Sequence, residues 1–197
     1  MVAATKYVDA DGCRSLIEAG ITDLAESRLD SLVAKQDAGV GATGVSWHFI
    51  GRLQSRQARD AATRASMVHT LCTASAAARL ADLDPAELPE LLVQVNVAGD
   101  PAKDGLAPDD VERFLLSLPP ALEVRGFMAM PAFAEDSEGS RPAFAGLREL
   151  RDTLAPLVAG RHRLEHLSIG TSQDWEVAVE EGATHVRLGR ILYAHGE

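Results

Sequence analysis

The chain has 197 residues, 46% of them hydrophobic, enough for one domain with a real core, and no apolar run reaches the length of a membrane span. A formal net charge of -10 argues against general nucleic-acid binding, which needs a basic footprint. Two cysteines, Cys13 and Cys72, give neither a disulfide framework nor metal-ligand spacing, and no leader with a charged start and apolar centre is visible, so a cytoplasmic protein is expected.

In chain order the pattern alternates. The apolar run MVAAT (1–5) reads as a first strand, and DADGCRSLIEAG (9–20) starts with helix-capping acids and carries Cys13, Leu16 and Ile17 on one side. ITDLAES and RLDSLVAKQDA follow, and VSWHFIG (45–51) is rich in β-branched and aromatic residues, hence strand-like. MVHTLC (67–72) precedes the alanine-rich helix SAAARLADL. LLVQVNVAG (91–99) is apolar on both faces, as a strand between a core and helices should be. PDDVERFLLSL then places Val111, Phe114, Leu115 and Leu118 at helical spacing. After the strand LEVRGFMAM (122–130) and the polar loop PAFAEDSEGSRP (131–142), a long helix sets Phe144, Leu147, Leu150, Leu154 and Leu157 on one face. HLSIG, the helix SQDWEVAVEEGA and HVRLGRILY complete the chain.

Eight strand candidates, mostly alternating with helices, imply parallel strands and an α/β fold, a (β/α)8 TIM barrel over residues 1–197 with no internal boundary; a doubly wound open sheet is the alternative. Chemistry in such a barrel sits at the C-terminal ends of the strands, and phosphate binds at the loops after strands seven and eight. Those loops are HLSIGTS and HVRLGR. Gly170, Thr171 and Ser172 offer amides and hydroxyls, with Ser172 as the cap of a helix starting at Gln173, and Gly189 lets another amide approach closely. Ordinary helix capping would use the same residues.

Only three of the 19 basic residues are lysines: Lys6, Lys35 and Lys103. A lysine can lose its proton and attack an aldehyde, whereas an arginine cannot. Lys6 directly follows the first strand, at the C-terminal face; Lys103 could reach the same face, and Lys35 lies in a helical stretch where solvation is expected. Arg187, between Val186 and Leu188, needs a partner, either a structural carboxylate or a ligand's ring nitrogen or phosphate. A phosphate site, an active-face lysine and an interior arginine together point to pyridoxal 5'-phosphate. Other motifs carry less. GVGATG (39–44) has dinucleotide-loop spacing but follows a helix and precedes a strand, and HRLEH (162–166) resembles a metalloprotease pattern with no downstream ligand.

The segments VAATKY, WHFIGRLQS, LLVQVNVAGDPAKDGL, VRGFMAMPAF and LSIGTSQDWEVAVEEGATHVRLGRILY stand in an order and at separations that resemble the YggS/PROSC family of pyridoxal phosphate homeostasis proteins, over nearly the whole chain. The resemblance implies the barrel of the alanine racemase N-terminal domain. It implies that Lys6, rather than Lys103, is the Schiff-base lysine, that Ser168 and Ser172 belong to the phosphate loop, and that Arg187 and Gly189 match the family's V-R-x-G. It also implies a carrier in vitamin B6 and amino-acid homeostasis, with no catalytic residues and no second domain such as alanine racemase uses. The expected partners are pyridoxal phosphate and apo-enzymes that depend on it, with a monomeric state and no nucleic acid or membrane. A weak racemase and a degenerate member acting through protein contacts are the alternatives. Departures from the family pattern are the absent N-terminal helix, Ser27 where an asparagine is expected, and Arg52, Arg56 and Gln57. Altered cofactor affinity is the expected consequence.

Overall fold

Short runs of β-branched, aromatic and aliphatic residues, each ended by a polar turn or a helix cap, fold into alternating strands and helices. The computed structural model describes residues 1–42, 44–99, 103–132 and 136–193. Strands β1 (Val2–Ala4), β2 (Asp23–Glu26), β3 (Ser46–Phe49) and β4 (Met67–Leu71) are followed in turn by helices α1 (Ala10–Glu18), α2 (Leu29–Asp37), α3 (Ala58–Arg64) and α4 (Ala74–Ala81). The second half repeats the unit with β5 (Glu90–Val95), β6 (Val124–Ala129), β7 (His166–Ser168) and β8 (Arg187–Leu188), alternating with α5 (Val111–Ser117), α6 (Arg141–Leu154), α7 (Trp175–Glu180) and α8 (Arg190–Tyr193). Caps fix several starts. The Asp9 carboxylate accepts the Gly12 amide at 3.0 Å, and Thr73 Oγ1 accepts the Ala76 amide at 3.2 Å.

All strand pairs are parallel, in the order β7-β6-β5-β4-β3-β2-β1-β8. The two ends meet through a bridge between Ser168 and His185 and an Arg187 amide bonded to the Gly170 carbonyl at 3.0 Å. The expected (β/α)8 barrel is therefore the observed fold, and an open sheet is excluded.

Period-two alternation splits the buried residues into two cores. Trp47, Phe49, Val68, Leu91, Val93 and Phe127 point outward into a large apolar layer under the helices. Met67, Leu92 and Met128 form a separate small cluster inside the barrel. The rest of the lumen is occupied largely by polar side chains, a departure from the aliphatic filling usual in this architecture.

Four expectations are corrected. Helix α3 occupies the stretch 58–64, to which no element was assigned from the sequence, because its buried stripe of Ala58, Ala61 and Ala62 contains no large apolar residue. Helix α6 ends at Leu154, leaving Leu157 exposed beyond it. Helix α7 starts at Trp175, not at Gln173. Lys35 is buried rather than solvated, because α2 turns it against β1 and β2. In the expected loops, residues 100–102 and 133–135 lie outside the described residues; Glu138–Ser140 forms a short turn leading into α6.

Candidate functional site

Alternation at the end of β1 turns Ala4 and Lys6 to the barrel mouth and Thr5 outward. The outward Thr5 is fixed from behind. Its hydroxyl donates to Glu26 Oε1 at 2.6 Å, and Lys35 Nζ donates to the Thr5 carbonyl at 2.7 Å while pairing with Glu26. Lys6 itself is exposed, with its amine 5.0 Å from the centre of the Tyr7 ring. It opens on a cavity of about 390 Å³ at the C-terminal ends of the strands, a volume suited to a small aromatic ligand.

Five of the seven expected cofactor residues are brought to this cavity: Lys6, Thr171, Ser172, Arg187 and Gly189. Ser168 and Gly170 stand behind its wall. Gly170 has φ +86°, and a Cβ there would sit 2.5 Å from Ala178 Cβ, so the turn packs on α7 only with glycine. Lys103 lines a smaller neighbouring cavity and donates to the Pro131 carbonyl at 3.0 Å.

The turn after β7 is organised differently from a serine-capped helix. The buried Asp174 carboxylate accepts the Thr171 amide at 2.7 Å, the Thr171 hydroxyl at 3.0 Å and the Ser140 hydroxyl at 2.8 Å. Ser172 Oγ accepts the Gly189 amide at 3.2 Å, which ties the two loops together and leaves the serine proton free to donate. Among the described residues, no acceptor takes the amides of Ser172 and Gln173. These donors face a rim that carries Lys6, Arg190 and Arg52, the last 3.2 Å from Asp104, which among the described residues is the one carboxylate lining the cavity. An anion is favoured there despite the chain's negative charge.

Among the described residues, Arg187 does not have the structural carboxylate that was one of its two expected partners. It is 5% exposed and finds no carboxylate within ion-pair reach among the described residues. Its guanidinium donates to Ser168 O and Ser168 Oγ at 2.6 Å each and to Ala129 O at 3.0 Å. Burial pulls it down to about 10. Its direct hydrogen-bond partners among the described residues are neutral, the nearby Asp174 carboxylate acts on it only through space, and its side chain lines the cavity.

Below Arg187 the lumen holds His48, His69, His166 and His185, which sequence reasoning missed. His185 lies 6.0 Å, ring to ring, from both His48 and His69, and 5.0 Å from His166. Burial pushes His185 down to about 4, holds His69 well below the usual imidazole range, and lowers His48. The available signal was a histidine in the middle of two adjacent strand-like runs, SWHF and MVHTL. The HRLEH histidines do not form a metal centre: His162 accepts the Val124 amide at 3.2 Å, far from the mouth, and no metal-binding cluster exists among the described residues.

Comparison with known proteins places the chain in context. Residues 5–196 match the alanine racemase N-terminal domain family. A pyridoxal phosphate homeostasis protein of Pseudomonas aeruginosa is 38% identical over 98% of this chain and 83% of its own length. One from Aquifex aeolicus is 33% identical over 98% of this chain and 85% of its own. The solved structure of Synechococcus elongatus PipY with pyridoxal phosphate bound has a TM-score of 0.87 and 31% identity, over 98% of this chain and 92% of that one. An alanine racemase of Clostridium difficile, at 15% identity and a TM-score of 0.73 over 99% of this chain and 52% of that one, shares the fold alone. No helix among the described residues is long and apolar enough to cross a membrane.

Proposed function

The chain belongs to the family of pyridoxal phosphate homeostasis proteins, and on that footing we propose that it holds pyridoxal 5'-phosphate at the barrel mouth as a carrier without turnover of its own. It serves vitamin B6 and amino-acid homeostasis in the cytoplasm, acts as a monomer, and passes the cofactor to apo-enzymes. The observation that carries this reading is the buried Arg187 cation, without an ion-paired carboxylate among the described residues, in the wall of a cavity that also receives Lys6 and the Ser172 turn. The residues present therefore fit the group.

When bound, the group supplies an aldehyde that condenses reversibly with a primary amine. Lys6 is the amine at the mouth. Ser172, through its hydroxyl and amide, and Gln173, through its amide, hold the phosphate, and Gly189 keeps the Ser172 hydroxyl oriented. Arg187 offers a fixed N–H to the ring nitrogen or the phosphate, and Arg190 adds positive potential at the rim, where Arg52 is paired with Asp104. Lys6, Tyr7, Arg52 and Arg190 are all exposed, so water reaches the amine. That openness supports exchange of a cofactor over protection of a reacting carbon.

Titration with pyridoxal phosphate followed by visible absorbance tests the reading. One equivalent taken up per chain, lost in Lys6→Ala, is expected, with no loss of optical activity from an L-amino acid. Absence of uptake overturns the proposal. Uptake with time-dependent racemisation, abolished by Lys6→Ala, would establish the weak racemase instead.

A further inference from the structure

A line of side chains runs from the far mouth of the barrel to the cavity wall. Asp23, at the start of β2, lies 3.2 Å from His48 Nε2. His48 Nδ1 is 2.9 Å from His69 Nε2, His69 Nδ1 is 2.8 Å from Ser168 Oγ, and Ser168 Oγ is 2.6 Å from Arg187 Nη1. Asp23 keeps a partly exposed carboxylate, whereas His48, His69, Ser168 and Arg187 are buried.

The direction of every bond in this line follows from its carboxylate end and from two neutral imidazole rings. A carboxylate only accepts, so His48 carries its proton on Nε2. With both imidazoles held neutral by burial, the free lone pair on His48 Nδ1 takes the His69 Nε2 proton. The lone pair left on His69 Nδ1 takes the Ser168 hydroxyl proton. Ser168 Oγ is then free to accept from Arg187, which can only donate. Ser168 has a second acceptor lone pair, so it is the Asp23 end together with the neutral rings that fixes the assignment, and Arg187 is compatible with it. All four bonds therefore point one way, from the cation to the carboxylate, and each polarises the next.

We propose that His69 is a positioning residue: by accepting the Ser168 hydroxyl it locks Ser168 Oγ as an acceptor and so fixes the Arg187 guanidinium toward the cavity, with His48 and Asp23 as the anchor of the line. The role at the cofactor rests on the reading given above. The line itself is a property of the ligand-free protein. A merely satisfied polar core would cost stability when cut but would leave Arg187 unmoved. The surroundings favour the neutral line. The rings of His185 and His166 crowd it, and a proton on His69 would set a cation beside Arg187.

Two measurements test this. The first is the nitrogen NMR spectrum of the ligand-free protein, which should show both His48 and His69 as neutral, Nε2-protonated tautomers; an Nδ1 proton on His69 overturns the proposal whether or not a cofactor binds. The second is a double-mutant cycle on pyridoxal phosphate affinity. His69→Phe should weaken binding by about tenfold and shift the visible band, while His69→Asn, whose amide oxygen can stand where Nδ1 was, restores most of it. In an Arg187→Gln background, His69→Phe should add little further loss. An equal loss in both backgrounds overturns the positioning role. Failure of the unmutated protein to bind the cofactor would sink the functional reading and leave the tautomer test standing.

Discussion

Lys35 reaches from α2 across the outer layer to bond the Thr5 carbonyl at 2.7 Å, so a buried amine anchors the peptide bond from which Lys6 projects. The same amine pairs with Glu26, and both side chains are almost wholly shielded from solvent. Truncating one partner leaves the other charge buried and uncompensated, which costs about 3–5 kcal/mol. Lys35→Met should therefore lower the midpoint of thermal unfolding by about 6–20 °C. The double change Lys35→Met with Glu26→Leu should recover much of that loss. A Lys35→Met protein as stable as the parent would show that the pair contributes nothing.

The turn after β7 depends on Gly170. A side chain there would meet Ala178 Cβ at 2.5 Å, at a φ of +86° that L-residues rarely adopt. Gly170→Ala is expected to cost about 2–4 kcal/mol in urea unfolding, part of it relieved by adding Ala178→Gly. If Ala178→Gly gives no relief, the contact with α7 is not the cause.

Ser172 separates recognition of the phosphate from recognition of the ring. Its hydroxyl keeps a proton to donate because its oxygen already accepts the Gly189 amide. Ser172→Ala should weaken pyridoxal phosphate binding by about 5–10-fold and leave binding of phosphate-free pyridoxal unchanged. Equal losses for both ligands would place the phosphate elsewhere.

The lumen histidines set the pH dependence of stability. His48, His69 and His185 have folded values below the ordinary imidazole value of 6.5, with His185 at about 4, and burial is the leading cause for each. The unfolded chain therefore takes up protons first as pH falls. The stability these groups confer is present above about 6.5 and is lost on acidification toward the folded values. Between pH about 7.5 and pH about 5 the free energy of unfolding should fall by at least about 2 kcal/mol. Equal urea midpoints at the two values would contradict the assignment of neutral histidines in the lumen.

The alternation of strands and helices could be read from the sequence because it is local: LLVQVNVAG and VSWHFIG announce strands by composition, and the Pro-Asp-Asp start announces α5. The loops at the mouth followed from that count, since barrel topology alone brings residues 170–172 and 187–189 together. What remained hidden depends on phase and depth. Trp47 and His48 are neighbours in sequence, yet one lies under the helices and the other in the lumen, and only the closed sheet decides which. Lys35 reads as a surface lysine until Glu26 is placed beside it. Ser172 reads as a helix cap until Asp174 is seen taking the Thr171 amide.

The central claim is that Lys6, at a cavity walled by Arg187 and the Ser172 turn, is where pyridoxal phosphate attaches. Borohydride reduction of the loaded protein, followed by peptide mapping, tests it directly. The expected result is a label on the N-terminal peptide that contains Lys6, which ends at Arg14 because trypsin no longer cuts at the modified lysine. Label on Lys103, in the neighbouring cavity, would contradict it.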